Sequence, residues 1–437
     1  MSLPQDDPFL AKGDFVYRDT PLEIRSAEAA TLTDREGRRW IDLEAANGAA
    51  LLGYDPQLVR ETVADWAALP TAPSFAETQH RRAFADALGR RVLASIGRPG
   101  RLAFDLGGAQ GIELALRMAA LAQPSRRTIL VLDGAYHGRS LFLSNLSASF
   151  RYRAALAPTG YRIVRLPSPG ILTAQAGLAP EDALRFCRMQ ARRAFLDESG
   201  GQSAGGASDC LALLFEPLLN VAGMVDPGPS FLSELLGLAR EAGCASIADE
   251  VFTGYHRTGP FLACETLDGA PDMIVLSKAI TNGLAPLSAV WAQPPYGARE
   301  TFPPGAYSTT FGNNPLHFII ARRVLDRVSA LSQGDIKRVT AFLEEMAAAL
   351  LRRAPGAHAS GVLGMTAYVE FATSEARDKT VARLGATSPA ARLLFARTGA
   401  SKLRLLMHPP VTIRDEEMAA ALDAVANLQG GSRVAAE

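Results

Sequence analysis

Short apolar runs closed by turn residues recur through the middle of the chain: RLAFDL, TILVLDG, YRIVRLP, LALLFEP, CASIADE and MIVLSK. Runs that stay apolar at consecutive positions belong to strands covered on both faces, whereas the stretches between them repeat apolar positions at helical spacing. Strand–helix alternation over residues 61–325 therefore predicts an α/β domain with a mainly parallel, doubly wound sheet. Ahead of it, residues 1–60 contain ATLTDREGRRWIDLE, two alternating strands around Asp34-Arg35-Glu36-Gly37, the pattern of a hairpin. Behind it, residues 326–437 run from the helical stretch of NNPLHFIIARRVLDRVSAL through a strand candidate, MTAYVEF, to a terminal helix near DEEMAAALDAVANL. That order predicts a smaller α+β domain, to which the N-terminal segment contributes. Asn314-Pro315 has the form of an N-cap and first helical residue. The Gly/Ser-rich ESGGQSAGGAS, residues 198–208, is expected to be a surface loop. No internal repeat is present.

Composition narrows the class. The 437 residues are 48% hydrophobic and 21% charged, with 45 basic and 45 acidic side chains, so the formal net charge is zero. A balanced charge offers no electrostatic ground for binding nucleic acid or an anionic membrane. No apolar stretch approaches the roughly 18 residues of a membrane span, and MSLPQDDPFLAKGD has neither the basic start nor the apolar core of a signal peptide. Cys187, Cys210, Cys244 and Cys264 are scattered without a CxxC pair, the usage expected of reduced thiols in a cytoplasmic protein. Six histidines form neither HExxH nor HxH, so no metal site is expected.

Chemistry concentrates where the apolar runs end. Lys278 follows MIVL at the mouth of a buried strand, close to the crevice where ligands of open α/β sheets bind. A lysine there can simply reach back to water along its own stem. One crossover earlier, CASIADE ends in two adjacent carboxylates, Asp249 and Glu250, of which strand geometry sends only one into the crevice. Those two groups are either a structural ion pair or the lysine and carboxylate that pyridoxal phosphate requires, one for a Schiff base and one for the pyridine nitrogen. A phosphate cup is available at Gly107-Gly108-Ala109-Gln110-Gly111, a strand-to-helix turn whose free N–H groups and helix dipole favour an anion. After the next strand, Tyr136 or His137 can lie on a ring face, with Gly138 allowing close backbone approach.

In their order along the chain, these segments resemble the class III (omega) aminotransferases, pyridoxal-phosphate enzymes of fold type I. GRRWIDLEAANGAALLGYDPQLV is similar to the family's N-terminal segment, GGAQGIELALRMA to its phosphate-cup helix and YHGRS to its Tyr-His-Gly. IADEVFTGYHRTGPFLACETLDGAPDMIVLSKAITNGLAPLSA carries Asp-Glu-Val, Arg-Thr-Gly, Pro-Asp and the lysine in family order, and STTFGNNPL resembles the segment that reaches a neighbouring subunit. The resemblance implies a homodimer and makes Lys278 the lysine of the internal aldimine, Asp249 the partner of the ring nitrogen and Val251 the apolar floor beneath the ring. Gly108 and Ala109 would offer N–H groups to the phosphate, Tyr136 would stack, His137 and Glu216 would lie beside the cofactor, and Thr310 would cross the subunit interface. Arg404, ahead of Pro409-Pro410, is the candidate for a substrate carboxylate. The chain departs from the family at Ala109 and Gln110 in the cup, at Phe252 where some members carry a glutamine, and at Leu219-Asn220 after Glu-Pro. Asn220 is the candidate to supply the polar group that a glutamine brings there in many members. The implied reaction is ping-pong transfer of an amino group, often an ω-amino group, from an amine or amino acid to a carbonyl acceptor. An aminomutase or decarboxylase on the same machinery, or a cofactor-free scaffold, are the alternatives. LSKAITNGLAPLS is locally similar to diaminopelargonate-forming enzymes, too short a segment to set a substrate.

Overall fold

The computed structural model describes residues 22–148, 160–196, 209–386, 391–396 and 402–429. The Gly/Ser-rich stretch at 198–208 lies outside the described residues. The N-terminal hairpin forms as its pattern predicts: after β1 (Ile24–Glu28), β2 (Thr31–Asp34) and β3 (Arg39–Leu43) pair antiparallel around a turn in which Gly37 has φ 78°. Asp34 closes that turn by accepting from the Arg38 amide at 2.8 Å and from Trp40 Nε1 at 2.9 Å.

Seven strands make the central sheet: β4 (Arg101–Asp105), β5 (Thr128–Leu132), β6 (Arg162–Leu166), β7 (Cys210–Phe215), β8 (Ala245–Asp249), β9 (Met273–Leu276) and β10 (Ser288–Ala292), in the order β4-β10-β9-β8-β7-β5-β6. Strands β6, β5, β7, β8 and β9 run parallel, each next to its neighbour. The doubly wound, mainly parallel sheet expected from the apolar runs is thus present. Both faces are covered: Ile129 and Val131 pack with Ile247 and Val275 on one side, Leu130 and Leu132 with Leu213 and Ile274 on the other. Strand β10 is not among the predicted runs. It enters antiparallel between β4 and β9, because the 277–287 connection lacks the crossover helix that a parallel partner needs.

The rest of the chain adds β11 (Ala357–Leu363), β12 (Thr366–Phe371), β13 (Arg392–Phe395) and β14 (Arg404–Met407). Strands β11, β12 and β14 form an antiparallel sheet, and β13 lies parallel to β3 of the N-terminal hairpin. MTAYVEF supplies β12, and the terminal helix spans Asp415–Ala426. The helix Pro315–Ser329 starts as expected, with Asn314 accepting from the Leu316 amide at 3.0 Å. No helix among the described residues is long and apolar enough to cross a membrane.

Candidate active site

Five strands of the central sheet, β4, β5, β7, β8 and β9, end at one cavity of about 450 Å³, within the ordinary range for small-molecule sites. Its walls are the helix start at Gly108–Ala109, the Tyr136–Ser140 turn after β5, Glu216 and Asn220 after β7, Asp249–Phe252 after β8, and Lys278 after β9. The sheet brings together groups more than 160 residues apart in the chain because parallel strands deliver their carboxyl ends to the same edge.

Lys278 is half-buried, and its Nζ lies 5.1 Å from the centre of the Phe252 ring. Its backbone adopts φ 46°, a left-handed conformation that a side chain with a Cβ holds only when its surroundings enforce it. Burial lowers its pKa, and the carboxylates of Asp249, Glu216 and Glu44 oppose that shift. Of the adjacent pair at the end of β8, Asp249 lines the cavity and Glu250 turns the other way, accepting from Thr253 and from the Cys264 amide at 2.7 Å. One Asp249 oxygen accepts from His137 Nδ1 at 2.8 Å and the other from the Val251 amide at 3.1 Å. Glu216 accepts from the Tyr136 amide at 2.7 Å, and burial together with the nearby Asp249 raises its pKa well above the carboxylate range.

On another wall of the cavity the helix Gly108–Ala122 opens without a side-chain cap, which leaves its first N–H groups free beside the space. A Cβ on Gly108 would come within 3.0 Å of Val251 Cγ1, and one on Gly111 within 2.8 Å of Ser288 Oγ, so both glycines let the helix start sit close against the sheet. Of the two ring candidates, His137 is fully enclosed and committed to Asp249, while Tyr136 is half-buried on the cavity wall. His137 Nε2 and Asn220 Oδ1 are both buried without a hydrogen-bond partner. An open helix N-terminus, a carboxylate, a lysine and two orphaned polar atoms around one apolar-floored space fit the phosphate, ring nitrogen, carbonyl and ring substituents of pyridoxal phosphate.

Two expected residues lie elsewhere. Thr310 is exposed and outside the cavity. Arg404 lines a separate cavity of about 560 Å³, where its guanidinium stacks 3.9 Å over Tyr368 and donates to Glu370 at 2.7 Å and to the Gly223 carbonyl at 2.8 Å. The structure does not bring it to Lys278.

Three further residues border the site. Glu44 precedes a left-handed turn, Ala45–Gly48, and accepts from the Asn47 amide at 2.8 Å. A Cβ on Gly48 would lie 2.8 Å from the Phe252 ring, which places that turn against the cavity wall. His408 packs edge-on to Phe252 at 5.3 Å, and burial holds its pKa well below the usual value. Arg257, in the Arg-Thr-Gly motif, is fully buried and donates to four carbonyls, those of Gly48, Met365, His408 and Pro409, tying the turn to the C-terminal region. Glu44 lies in the segment similar to the family's N-terminal one and His408 directly before Pro409-Pro410, but only tertiary contact places them beside the site.

Burial, Asp42 next to it and the opposing Lys278 leave the half-buried Glu44 with a pKa raised from 4.5 to about 7. The folded chain then binds more protons there than the unfolded chain does between those values, so Glu44 costs stability as pH rises through about 7. Glu44→Gln keeps the oxygen that accepts from Asn47 and removes the charge. The variant is expected to melt increasingly above the parent as pH goes from about 5 to 8. Melting curves at a series of pH values check this, and a constant gap would contradict it.

The family described as aminotransferase class-III matches residues 15–428. Among curated relatives, an ornithine aminotransferase of Bacillus cereus (strain 03BB102) is 25% identical over 413 residues, covering 92% of this chain and 92% of the relative. A 4-aminobutyrate aminotransferase of Mycobacterium leprae (strain TN) is 26% identical over 421 residues, covering 94% and 91%. Among solved structures, a pyridoxal-phosphate-bound amine transaminase from an uncultivated Pseudomonas species superposes with a TM-score of 0.82 at 22% identity, covering 97% of each chain.

Proposed function

The chain belongs to the class III aminotransferases and is a pyridoxal-phosphate-dependent enzyme, and from that premise we propose which of its residues perform amino transfer and on what. The observation that carries the reading is the meeting of Lys278, Asp249 and Glu216 with the open helix start at Gly108–Ala109 around one cavity. Bound there, pyridoxal phosphate supplies a carbonyl carbon that receives the amino nitrogen and a protonated ring that takes up negative charge. Lys278 is the covalent attachment point and, when freed, its amine moves the proton that leaves the donor carbon. Its lowered pKa keeps more of it neutral and able to accept that proton. Asp249 holds a proton at the ring nitrogen, and His137 keeps that carboxylate in place from behind. Tyr136 and Val251 would flank the ring, the amides at Gly108–Ala109 would hold the phosphate, and Glu216, its carboxyl pKa raised by burial and by Asp249, would stand as a hydrogen-bonding group beside Asp249.

The donor is an amine or an amino acid reacting through an ω-amino group, and the acceptor a second carbonyl compound, in a ping-pong cycle. The ornithine and 4-aminobutyrate aminotransferases among the relatives are named for ω-amino acids, which supports the donor class. Following the spectrum of the pyridoxal form against a panel of amines tests it. Stoichiometric appearance of a new amine from an added carbonyl acceptor is the expected result, and a product rearranged or decarboxylated without an acceptor would refute transfer.

A homodimer completes the site in this reading. Phe75 and Phe311 are 92% and 62% exposed, and Asn313 donates to the carbonyls of Pro73 and Ala76, holding both rings on one surface with Thr310. Large apolar side chains left bare together suit a subunit interface. With Ala109 offering no hydroxyl in the cup, Thr310 from the neighbouring subunit is the side-chain donor to the phosphate. Loss of one hydrogen bond to a charged group costs about 1.5–3 kcal/mol. Thr310→Ala should therefore bind cofactor about ten- to a hundredfold more weakly without loss of subunit fold. Cofactor titration measures the first and circular dichroism the second; light scattering measures the dimer. Unchanged affinity would remove Thr310 from the site.

A further inference from the structure

The buried thiols are not evenly placed. Cys210 opens β7, Cys244 immediately precedes β8, and β7 and β8 are parallel neighbours, with Ala212 paired to Ala245. The two Sγ atoms lie 2.7 Å apart, inside the ordinary separation of unbonded sulfurs, and both residues are 2% exposed. Their separation along the chain is 34 residues, and neighbouring strands bring their backbones within reach of a disulfide. All four cysteines are free thiols. The guanidinium of Arg126 covers the pair from outside, donating to the carbonyls of Cys210 at 2.8 Å and Gly243 at 2.7 Å. The same two strands carry Glu216 and Asp249 at their other ends.

We propose that Cys210 and Cys244 are an oxidative modification site, closing to a disulfide that joins β7 and β8 at the end of the sheet remote from the cavity. The oxidant is a peroxide. One thiol sulfur takes an oxygen from hydrogen peroxide to become a sulfenic acid and releases one water. The second thiol sulfur then attacks the first, the S–O bond breaks as the S–S bond forms, and a second water leaves. The protein loses two protons and two electrons, and the peroxide is reduced to two waters. Because both sulfurs are enclosed, the first step is slow and a small oxidant is required. Once it occurs, the second sulfur is already in place, which favours the disulfide over further oxidation. The bond closes a loop in the unfolded chain and so stabilises the folded one, without altering the groups that line the cavity.

The test treats the reduced holoenzyme with hydrogen peroxide, blocks remaining thiols under denaturation, and maps peptides without reduction. The expected result is a cross-linked peptide pair containing Cys210 and Cys244, two hydrogens lighter than the separate peptides, and a melting temperature a few degrees above that of the reduced protein. Cys210→Ser should show neither the cross-link nor the oxidant-dependent gain in melting temperature. Both thiols still free, oxidation of one to a sulfinic acid without joining, pairing with Cys187 or Cys264, or a cross-link with no gain in melting temperature would each overturn the proposal. Because the parent protein alone decides it, a poorly folding variant leaves the result intact.

Discussion

Lys278→Ala is expected to lower turnover by at least about three to four orders of magnitude while leaving the fold in place. Proton transfer by a positioned side chain contributes on the order of 10²–10⁴ in rate, and removal of Lys278 also removes the covalent attachment point proposed for the cofactor. The structural cost is small. The side chain is half-buried at the end of β9, its Nζ lies 5.1 Å from the centre of the Phe252 ring, and it stands outside the packed apolar positions Met273–Leu276. Alanine must adopt the same φ of 46°, so the backbone demand is unchanged and only the side chain beyond Cβ is lost. Single-turnover rates with an amine donor, together with the melting temperature, separate these effects. Turnover within about tenfold of the parent, a difference of about 1.4 kcal/mol in barrier, would sink the assignment. An unfolded variant would instead show that Lys278 supports the strand end.

Asp249→Asn comes next in size. The carboxyl and amide have the same shape, so the Val251 amide keeps an oxygen to bind, but the charge that would hold a proton on the ring nitrogen is gone. Loss of one preorganised charge stabiliser at the reacting centre costs about 10²–10³ in rate or more. His137 also loses its charged partner, because an amide replaces the carboxylate oxygen 2.8 Å from Nδ1. The expected outcome is a roughly thousandfold slower half-reaction, on the scale of that loss, with cofactor still bound and an altered absorption spectrum. His137→Asn serves as the control that tests position alone: it should slow the reaction far less, since Asp249 keeps its charge. A loss below about tenfold in Asp249→Asn would place the ring-nitrogen contact elsewhere.

Much of this is legible along the chain. The apolar runs are long enough to bury both faces, and their order with the helices permits few arrangements other than a parallel sheet, so β5 through β9 and their carboxyl-end residues follow from local pattern. Asn314-Pro315 as a helix start and Asp34–Gly37 as a hairpin follow for the same reason, since caps and turns depend on neighbours a few residues away. The order of Gly108, Tyr136, Glu216, Asp249 and Lys278 also identifies the edge of the sheet at which chemistry gathers.

What the chain pattern leaves open is any relation set by packing between distant segments. Strand direction is one: β10 has an ordinary apolar pattern and runs antiparallel. The environment of His137 is another, since β8 places Asp249 2.8 Å from its ring. Arg404 satisfies a local pattern for a carboxylate grip, yet β14 carries it to Glu370 and Tyr368 beside another cavity. Glu44 and His408 come beside the site through tertiary contacts, among them the bonds of Arg257 to the Gly48, His408 and Pro409 carbonyls and of the His408 amide to the Leu43 carbonyl. Cys210 and Cys244 look unrelated in sequence and meet because two parallel strands begin side by side. Periodicity and capping are local and survive in one dimension, whereas a contact between segments is a property of how distant elements pack, and only the tertiary structure decides it.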